Sequence, residues 1–224
     1  MKITYLGQAG LLFETAQALV MIDPYLSNSA EARNPKAYRR QPIDEGALSV
    51  KPNVMVFTHN HIDHYDPDTA AHFLKADGRI TVLAPASVWS EVRKFGGDHN
   101  YIQFDRYTTW TGKGITFTAV KATHSDPAAI GVILDDGERK YYITGDTLYN
   151  EEIFGDLPED IYAVFLPVNG VGNNMNMDDA ARFAQRIGAE KVVPYHVGMF
   201  DEKTADDFPC KNKVIPQIYK EIAL

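Results

Sequence analysis

The chain has 224 residues, 45% of them hydrophobic and 23% charged, which suits a single α/β domain over residues 1–224. The formal net charge of −8 argues against a nucleic-acid partner, because phosphate backbones require clustered Lys and Arg, but it is compatible with a small-molecule substrate, including an anionic one. No apolar run is long enough to span a bilayer, and the single cysteine, Cys210, excludes an internal disulfide framework.

The first half of the chain is predicted to begin with an antiparallel meander, because residues 2–6, 11–15 and 18–22 alternate between apolar and polar positions. The apolar run 54–58 indicates a strand that is buried on both faces. The polar segment 27–46 lacks periodicity and is predicted to be an irregular loop. The other predicted elements of this half are helices at 66–75 and 86–95 and strands at 80–84 and 100–104.

The second half is predicted to contain a further run of strands, with Asp136-Gly137 as a hairpin turn. The predicted strands are 108–120, 129–135, 139–144, 161–166 and 191–194, and the predicted helices are 177–187 and 215–222. Because strands gather in two runs with helices after each, we expect two sheets with helices outside them.

Four side chains of metal-ligand type, His59, His61, Asp63 and His64, follow the predicted strand 54–58 in the pattern H-x-H-x-D-H. A loop at a strand end can direct the first two to one point and the last two to another, which suits two adjacent cations. Imidazole and carboxylate ligands accept zinc, manganese or iron(II). A solvated polar loop is the alternative, but this clustering favours a metal site.

Three more residues follow predicted strands: His124 in KATH, Asp146 in YITGD and His196 in VPYH. Together with H-x-H-x-D-H, these motifs resemble those of the metallo-β-lactamase-fold superfamily, in the same order along the chain. The resemblance implies a four-layer αββα sandwich, with two mixed β-sheets and helices on the outer faces.

The resemblance also implies a ligand set for two divalent metal ions. One ion would be held by His59, His61 and His124, and the other by Asp63, His64 and His196, with Asp146 between them. Asp23 would support a ligand by a hydrogen bond, although a turn residue before Pro24 is the alternative. Two such ions bring a bridging water to hydroxide near neutral pH. Asp63 and Asp146 would then be the catalytic carboxylates, and no Ser or Cys nucleophile is required.

Two positions argue against other branches of the superfamily. Asp146 stands where some β-lactamases have a cysteine ligand, which argues against antibiotic hydrolysis. His61 stands where the oxygen-reducing flavo-diiron proteins have a glutamate, which argues against redox chemistry.

Within the superfamily, the chain looks most similar to the L-ascorbate-6-phosphate lactonase family. The similarity lies in DPYLS (23–27), LPVNG (166–170), GNNMNM (172–177) and VVPYHVGMF (192–200). It implies hydrolysis of an ester-like bond in a sugar-acid lactone or its phosphate. A phosphodiesterase or nuclease on the same metal core, and a non-catalytic metal-binding member, are the alternatives.

Candidate substrate-binding residues flank the metal motifs. Arg39 and Arg40 lie in the 27–46 loop, together with Arg33 and Lys36, and a guanidinium suits a phosphate or carboxylate. Asn169 follows a predicted strand, and the hydroxyls of Tyr25 and Tyr195 could donate to an oxyanion. The alternatives are a solvated basic loop, a tight turn and core packing. The N-terminus does not resemble a signal peptide, so we expect a cytoplasmic protein, and a homo-oligomer stays open.

Overall fold

The computed structural model describes residues 1–224 and contains two mixed β-sheets. The first sheet has seven strands in the order β13-β1-β2-β3-β4-β5-β6. Its strands are β1 (Lys2–Gly7), β2 (Gly10–Glu14), β3 (Leu19–Ile22), β4 (Val54–Val56), β5 (Thr81–Ala84), β6 (Asn100–Gln103) and β13 (Lys220–Glu221). The β1–β2–β3 meander is antiparallel as predicted, and β3 to β6 run parallel.

The second sheet has six strands in the order β12-β11-β10-β9-β8-β7. Its strands are β7 (Thr109–Gly112), β8 (Ile115–Lys121), β9 (Ile130–Asp135), β10 (Lys140–Ile143), β11 (Ile161–Pro167) and β12 (Lys191–Tyr195). The strands β10, β11 and β12 are parallel, and β8 runs in the same direction because both it and β10 are antiparallel to β9.

Five α-helices and two short 3₁₀ helices complete the fold. The α-helices are α1 (Ser29–Arg33), α2 (Glu45–Leu48), α3 (Pro67–Leu74), α4 (Ala86–Val92) and α5 (Met177–Ile187), and the 3₁₀ helices are Arg93–Phe95 and Glu151–Asp156. Residue choice explains their ends: the Asn176 side chain caps α5 by accepting from the Asp179 amide, and Gly188 ends it at φ 73°. None of these helices has the length and apolar character needed to cross a membrane.

The core forms three apolar layers that follow the two-residue period of the strands. In β4, Val54 and Val56 face the space between the sheets, whereas Met55 faces the helices outside the first sheet. In β11, Phe165 faces the same inner layer, and Leu166 faces the layer beneath α5. Full burial of a Val, Leu, Met or Phe side chain stabilises the folded state by about 1.5–3 kcal/mol relative to its exposure to water. The four-layer αββα arrangement with helices on the outer faces is therefore confirmed.

The C-terminal segment differs from its prediction. Residues 215–222 are not a helix: the chain turns irregularly and then forms β13 on the free edge of β1. The Tyr219 amide donates to the Tyr5 carbonyl at 2.6 Å, and the Ile222 amide donates to the Ile3 carbonyl at 2.8 Å. An eight-residue helix is marginal, whereas an unpaired strand edge offers ready backbone partners.

Two further segments are more finely divided than their patterns indicate. The predicted strand 108–120 is a hairpin of β7 and β8, because Lys113 and Gly114 both adopt positive φ values, 58° and 75°, at a tight turn. The segment 27–46 contains α1 and α2, so it is not irregular throughout.

Candidate metal centre

The predicted metal ligands all lie at one edge of the sandwich, each in a connection that begins at the carboxyl end of a strand. The loop between β4 and α3 carries His59, His61, Asp63 and His64, while His124 follows β8, Asp146 follows β10 and His196 follows β12. Because these strands run parallel within their sheets, their ends meet and bring residues up to 137 positions apart into one cluster.

The side chains form two groups, and within each group the potential ligand atoms lie within 4.8 Å of one another. The first group is His59, His61, His124 and Asp146, and the second is Asp63, His64 and His196. Asp146 also contacts the second group, because its Oδ1 lies 3.1 Å from His64 Nε2 and 3.2 Å from His196 Nε2. Its carboxylate therefore lies between the two groups.

The distances between nitrogen atoms suit metal coordination. His64 Nε2 and His196 Nε2 are 3.2 Å apart, and so are His61 Nδ1 and His124 Nε2. Two nitrogens bound to one tetrahedral zinc ion at about 2.0–2.1 Å lie about 3.3 Å from each other.

One buried polar atom at this centre, His59 Nε2, also lacks a hydrogen-bond partner. An unsatisfied buried polar atom costs about 1–3 kcal/mol. Cation binding would satisfy such a lone pair, so the donor set fits divalent metal ions.

Asp23 controls which imidazole nitrogens face the centre. Its carboxylate accepts hydrogen bonds from His64 Nδ1 at 2.8 Å and from the Thr58 hydroxyl at 2.5 Å. Having donated its proton, the Thr58 hydroxyl accepts from His59 Nδ1 at 3.1 Å. Both imidazoles therefore present Nε2 as a lone-pair donor, which is the role expected for an aspartate behind metal-binding histidines.

The electrostatics of the centre favour positive charge between the carboxylates. Burial lowers the pKa of His64, but Asp146 and Asp23 outweigh burial and raise this pKa well above its ordinary value. The same competition, with Asp146 and Asp63 opposing burial, raises the pKa of His196 to about 9. Burial raises the pKa of Asp146, yet His196 and His64 bring it well below its ordinary value. Protons and divalent cations therefore compete for the same position.

Two features of the backbone allow the strand ends to approach this closely. Gln8, Asp23 and His196 adopt left-handed conformations with φ of 54°, 44° and 67°, which are uncommon for residues with a side chain and cluster at functional sites. Gly145, immediately before Asp146, has φ 60°, and a Cβ there would lie 2.9 Å from both Thr58 Cβ and the Ile130 carbonyl. Glycine thus permits the contact between the sheets beneath the ligands.

A cavity of about 360 Å³ opens beside the metal ligands. His61, Asp63, Asp146 and His196 line it from one side. Asn169 also lines this cavity, and its Nδ2 lies 3.0 Å from His196 Nδ1, so this predicted substrate-binding residue does lie at the centre. From the 27–46 segment, Lys36 reaches the cavity wall.

The other predicted substrate-binding residues do not line this cavity. The hydroxyl of Tyr25 accepts from the Ala30 amide at 3.2 Å, and that of Tyr195 donates to the Gly145 carbonyl at 3.3 Å; both side chains are buried. These positions flank metal motifs in sequence, but both rings are buried in the core.

Arg39 and Arg40 are likewise used for structure. The Arg39 guanidinium donates to the Tyr25 carbonyl at 2.7 Å and to the Tyr219 hydroxyl at 2.6 Å. Arg40 pairs with Glu202 at 3.0 Å. The two guanidiniums thus fasten the segment 27–46 to its neighbours, and only Lys36 and the residues beside it extend to the cavity.

Two residues at the centre escaped sequence analysis. The amide of Gln8 donates to Asp63 Oδ2 at 2.7 Å, and the amide of Asn174 donates to Asp146 Oδ2 at 2.9 Å. Gln8 lies in a turn and Asn174 in the irregular GNNMNM segment (172–177), and neither setting gives a periodic signal. The only hint at Gln8 is a polar residue in a tight GQAG turn between two apolar strands.

Comparison with known proteins agrees with this architecture. The family model described as "Beta-lactamase superfamily domain" matches residues 19–197. A UPF0173 metal-dependent hydrolase of Bacillus cytotoxicus is 30% identical over 89% of this chain and 87% of its own length. Among solved structures, a metallo hydrolase of Ignicoccus hospitalis superposes with a TM-score of 0.77 at 18% identity, covering 98% of this chain and 96% of its own.

A second solved structure is an isothiocyanate hydrolase from Delia radicum gut bacteria. It superposes with a TM-score of 0.76 at 18% identity, and the match covers 100% of this chain and 99% of the other. At such low identity the two structural matches establish the fold alone. The family model and the Bacillus relative show the family as well as the fold. With its His/Asp metal site, the chain belongs to the beta-lactamase superfamily and, within it, to the UPF0173 metal-dependent hydrolases.

Proposed function

We propose that this chain hydrolyses a small ester-like substrate with two divalent cations held by the seven residues of the metal centre. The carrying observation is the position of Asp146, whose Oδ1 lies 3.1–3.2 Å from two imidazoles of the second group although it also belongs to the first. His59, His61 and His124 would hold one cation, Asp63, His64 and His196 the other, and Asp146 would contact both. When bound, such cations lower the pKa of coordinated water and polarise the bond to be cleaved.

Asp63 and Asp146 are the proposed catalytic carboxylates. Both line the cavity, and the neighbouring His64 and His196 lower the pKa of each carboxyl against the opposing effect of burial. They therefore stay ionised over the physiological range, and an ionised carboxylate accepts hydrogen bonds from the attacking water and orients it toward the substrate. Cys210 lies outside this cavity and has no part in the proposal.

For the substrate, we propose a sugar-acid lactone that carries an anionic group. A volume of about 360 Å³ is near the small end of ligand sites, which suits a monosaccharide-sized molecule. Lys36 is the only lysine or arginine in the cavity lining. In contrast to the neighbouring Arg40, its ammonium forms no ion pair within the protein. Lys36 is exposed at the cavity wall, where an anionic substrate group would be a suitable partner for its ammonium.

The substrate proposal is tested by a panel assay of the protein loaded with manganese or zinc. The panel contains a sugar-acid lactone, its phosphate ester, a phosphodiester and an isothiocyanate. We expect the phosphorylated lactone to have the highest kcat/KM. A phosphodiester or isothiocyanate preferred over both lactones would contradict the lactonase proposal, and turnover of none of them by the loaded protein would favour a non-catalytic metal-binding role.

The role of Lys36 is tested by Lys36→Met. We expect KM for the phosphorylated lactone to rise about tenfold or more, because a charge-assisted hydrogen bond contributes about 1.5–3 kcal/mol, with little change for the neutral lactone. Arg33→Met is the matched control, since Arg33 is an exposed cation of the same segment that does not line the cavity. Equal effects of the two substitutions, or equal effects on the two lactones, would contradict this role.

A further inference from the structure

Gln8 links two side chains of the second ligand group. Its side-chain amide donates to Asp63 Oδ2 at 2.7 Å, and the same Nε2 lies 3.1 Å from Nε2 and 3.2 Å from Nδ1 of His196. Asp63 and His196 are 133 positions apart in the sequence and belong to loops at the ends of different sheets. Gln8 lies in a third segment, the turn between β1 and β2, and its side chain contacts both Asp63 and His196.

The backbone holds Gln8 in this position against its own conformational preference. Its φ of 54° is uncommon for a residue with a side chain, and the residue is only 4% exposed. Its carbonyl accepts from the Tyr5 hydroxyl and from the His196 amide, each at 2.9 Å. Surrounding structure that maintains an unfavourable conformation is typical of functional sites, and here it fixes the direction of the amide.

The chemistry of the amide explains why glutamine suits this position. One N–H of the primary amide is used by Asp63 Oδ2, which leaves Asp63 Oδ1 without a bond from Gln8. Gln8 forms no hydrogen bond with the three histidines of the first group, His59, His61 and His124. Its influence is thus directed to the second group alone.

We infer that Gln8 is a positioning residue for the second cation: it fixes Asp63 and His196 in the mutual arrangement that binds this ion. The inference rests on the proposed two-cation function. It goes beyond that function because Gln8 contacts ligands of the second ion only. A change in the turn between β1 and β2 should therefore weaken the binding of one ion and not of the other.

The experiment measures Mn²⁺ binding to the full chain, without any substrate. Wild type and Gln8→Met are loaded with Mn²⁺, dialysed and titrated with a competing chelator, and the ions per chain are counted by mass spectrometry. Methionine has the same length but no donor. We expect two ions in wild type, and in Gln8→Met one ion of unchanged affinity and a second bound about 10–100-fold more weakly. The Mn²⁺ electron paramagnetic resonance signal should change from that of a coupled pair to that of isolated ions.

Two further variants keep the result interpretable. Gln17→Met is the matched control, because Gln17 is an exposed glutamine in the next hairpin turn, and it should leave both ions in place. Gln8→Asn retains an amide and tolerates positive φ but is one methylene shorter, so it should fold even if Gln8→Met does not, and show the same selective loss.

Unchanged affinity for both ions in a folded Gln8 variant, or equal weakening of both, would overturn the inference. A wild-type chain that binds no second ion would overturn the inference together with the two-cation function. If wild type binds two ions but hydrolyses none of the panel substrates, the catalytic proposal fails and the role of Gln8 is still decided by the ion counts.

Discussion

Asp23 is a buried carboxylate, and its burial is tolerated because three neighbouring groups donate hydrogen bonds to it. The carboxylate is fully buried and accepts from the Thr58 amide at 2.8 Å, the Thr58 hydroxyl at 2.5 Å and His64 Nδ1 at 2.8 Å. Such a buried carboxylate is compatible with a stable fold only while each of these neighbouring donors keeps an acceptor oxygen on it. Asp23 thus couples the stability of the strand ends to the orientation of His59 and His64.

Asp23→Asn tests this coupling. An amide has one acceptor oxygen in place of two, so at least one buried donor loses its partner, which should lower the free energy of unfolding by about 1–3 kcal/mol. Because His64 also loses its carboxylate partner, metal affinity should fall about 10–100-fold. Urea unfolding and chelator competition measure the two effects. A variant that loses stability but keeps wild-type metal affinity would contradict a role for Asp23 in orienting the imidazoles.

The sequence predicted the residues at the centre unevenly, for a physical reason. Clustered ligands such as His59 and His61 carry a signal in their type and spacing alone. Gln8 owes its position to a left-handed turn and to partners distant in sequence, which no local pattern contains. Tyr25 and Arg39 adjoin predicted functional segments, yet packing decides which way they point: one ring is buried and the guanidinium binds the Tyr25 carbonyl.

At the scale of secondary-structure elements, the strand β8 is connected to the 3₁₀ helix Glu151–Asp156 by one carboxylate. Asp156 accepts two hydrogen bonds from the Arg106 guanidinium, at 2.7 and 2.8 Å, and one from the Lys121 amide at 2.8 Å. Lys121 is the last residue of β8, three positions before His124. The Arg106–Asp156 ion pair therefore supports the end of β8, from which the chain continues to the metal ligand His124.

Asp156→Asn should lower the free energy of unfolding at pH 7 by about 1 kcal/mol, with allowance for solvent screening at the partly exposed Arg106. The hydrogen bond from Arg106 is the main cause that lowers the pKa of Asp156 below its ordinary 3.8. The stabilisation is therefore present above pH 4 and lost as the pH falls through the lowered pKa. Urea unfolding of wild type and variant from pH 7 to pH 3 measures this effect. A difference that stays constant down to pH 3 would contradict it.

Elements were predicted well where tertiary contacts agree with local pattern. The strand β4 (Val54–Val56) lies in the interior of its sheet, and the apolar run 54–58 reflects burial on both faces. The segment 215–222 has isoleucines at helical spacing, but Ile218 and Ile222 instead pack against the core between the sheets. The free edge of β1 determined this outcome, and the local sequence contains no record of that edge.

At the scale of the whole molecule, the fold separates stability from chemistry. Three apolar layers hold the two sheets and their outer helices together, and the polar ligands gather only at the edge where the strands end. The chain has a net charge of −8, and three of its aspartates, Asp23, Asp63 and Asp146, lie at this centre, where cations would offset their negative charge. The same scaffold can thus retain its core while the cavity-facing loops determine the substrate.

The central claim is that seven residues hold two cations that hydrolysis requires. The most direct measurement is metal content per chain, together with turnover of the preferred panel substrate, in wild type, His61→Ala and Asp146→Ala. We predict two ions in wild type, at most one retained at wild-type affinity in each variant, and at least about a 100-fold loss of turnover. Unchanged metal content and turnover in both variants would contradict the claim.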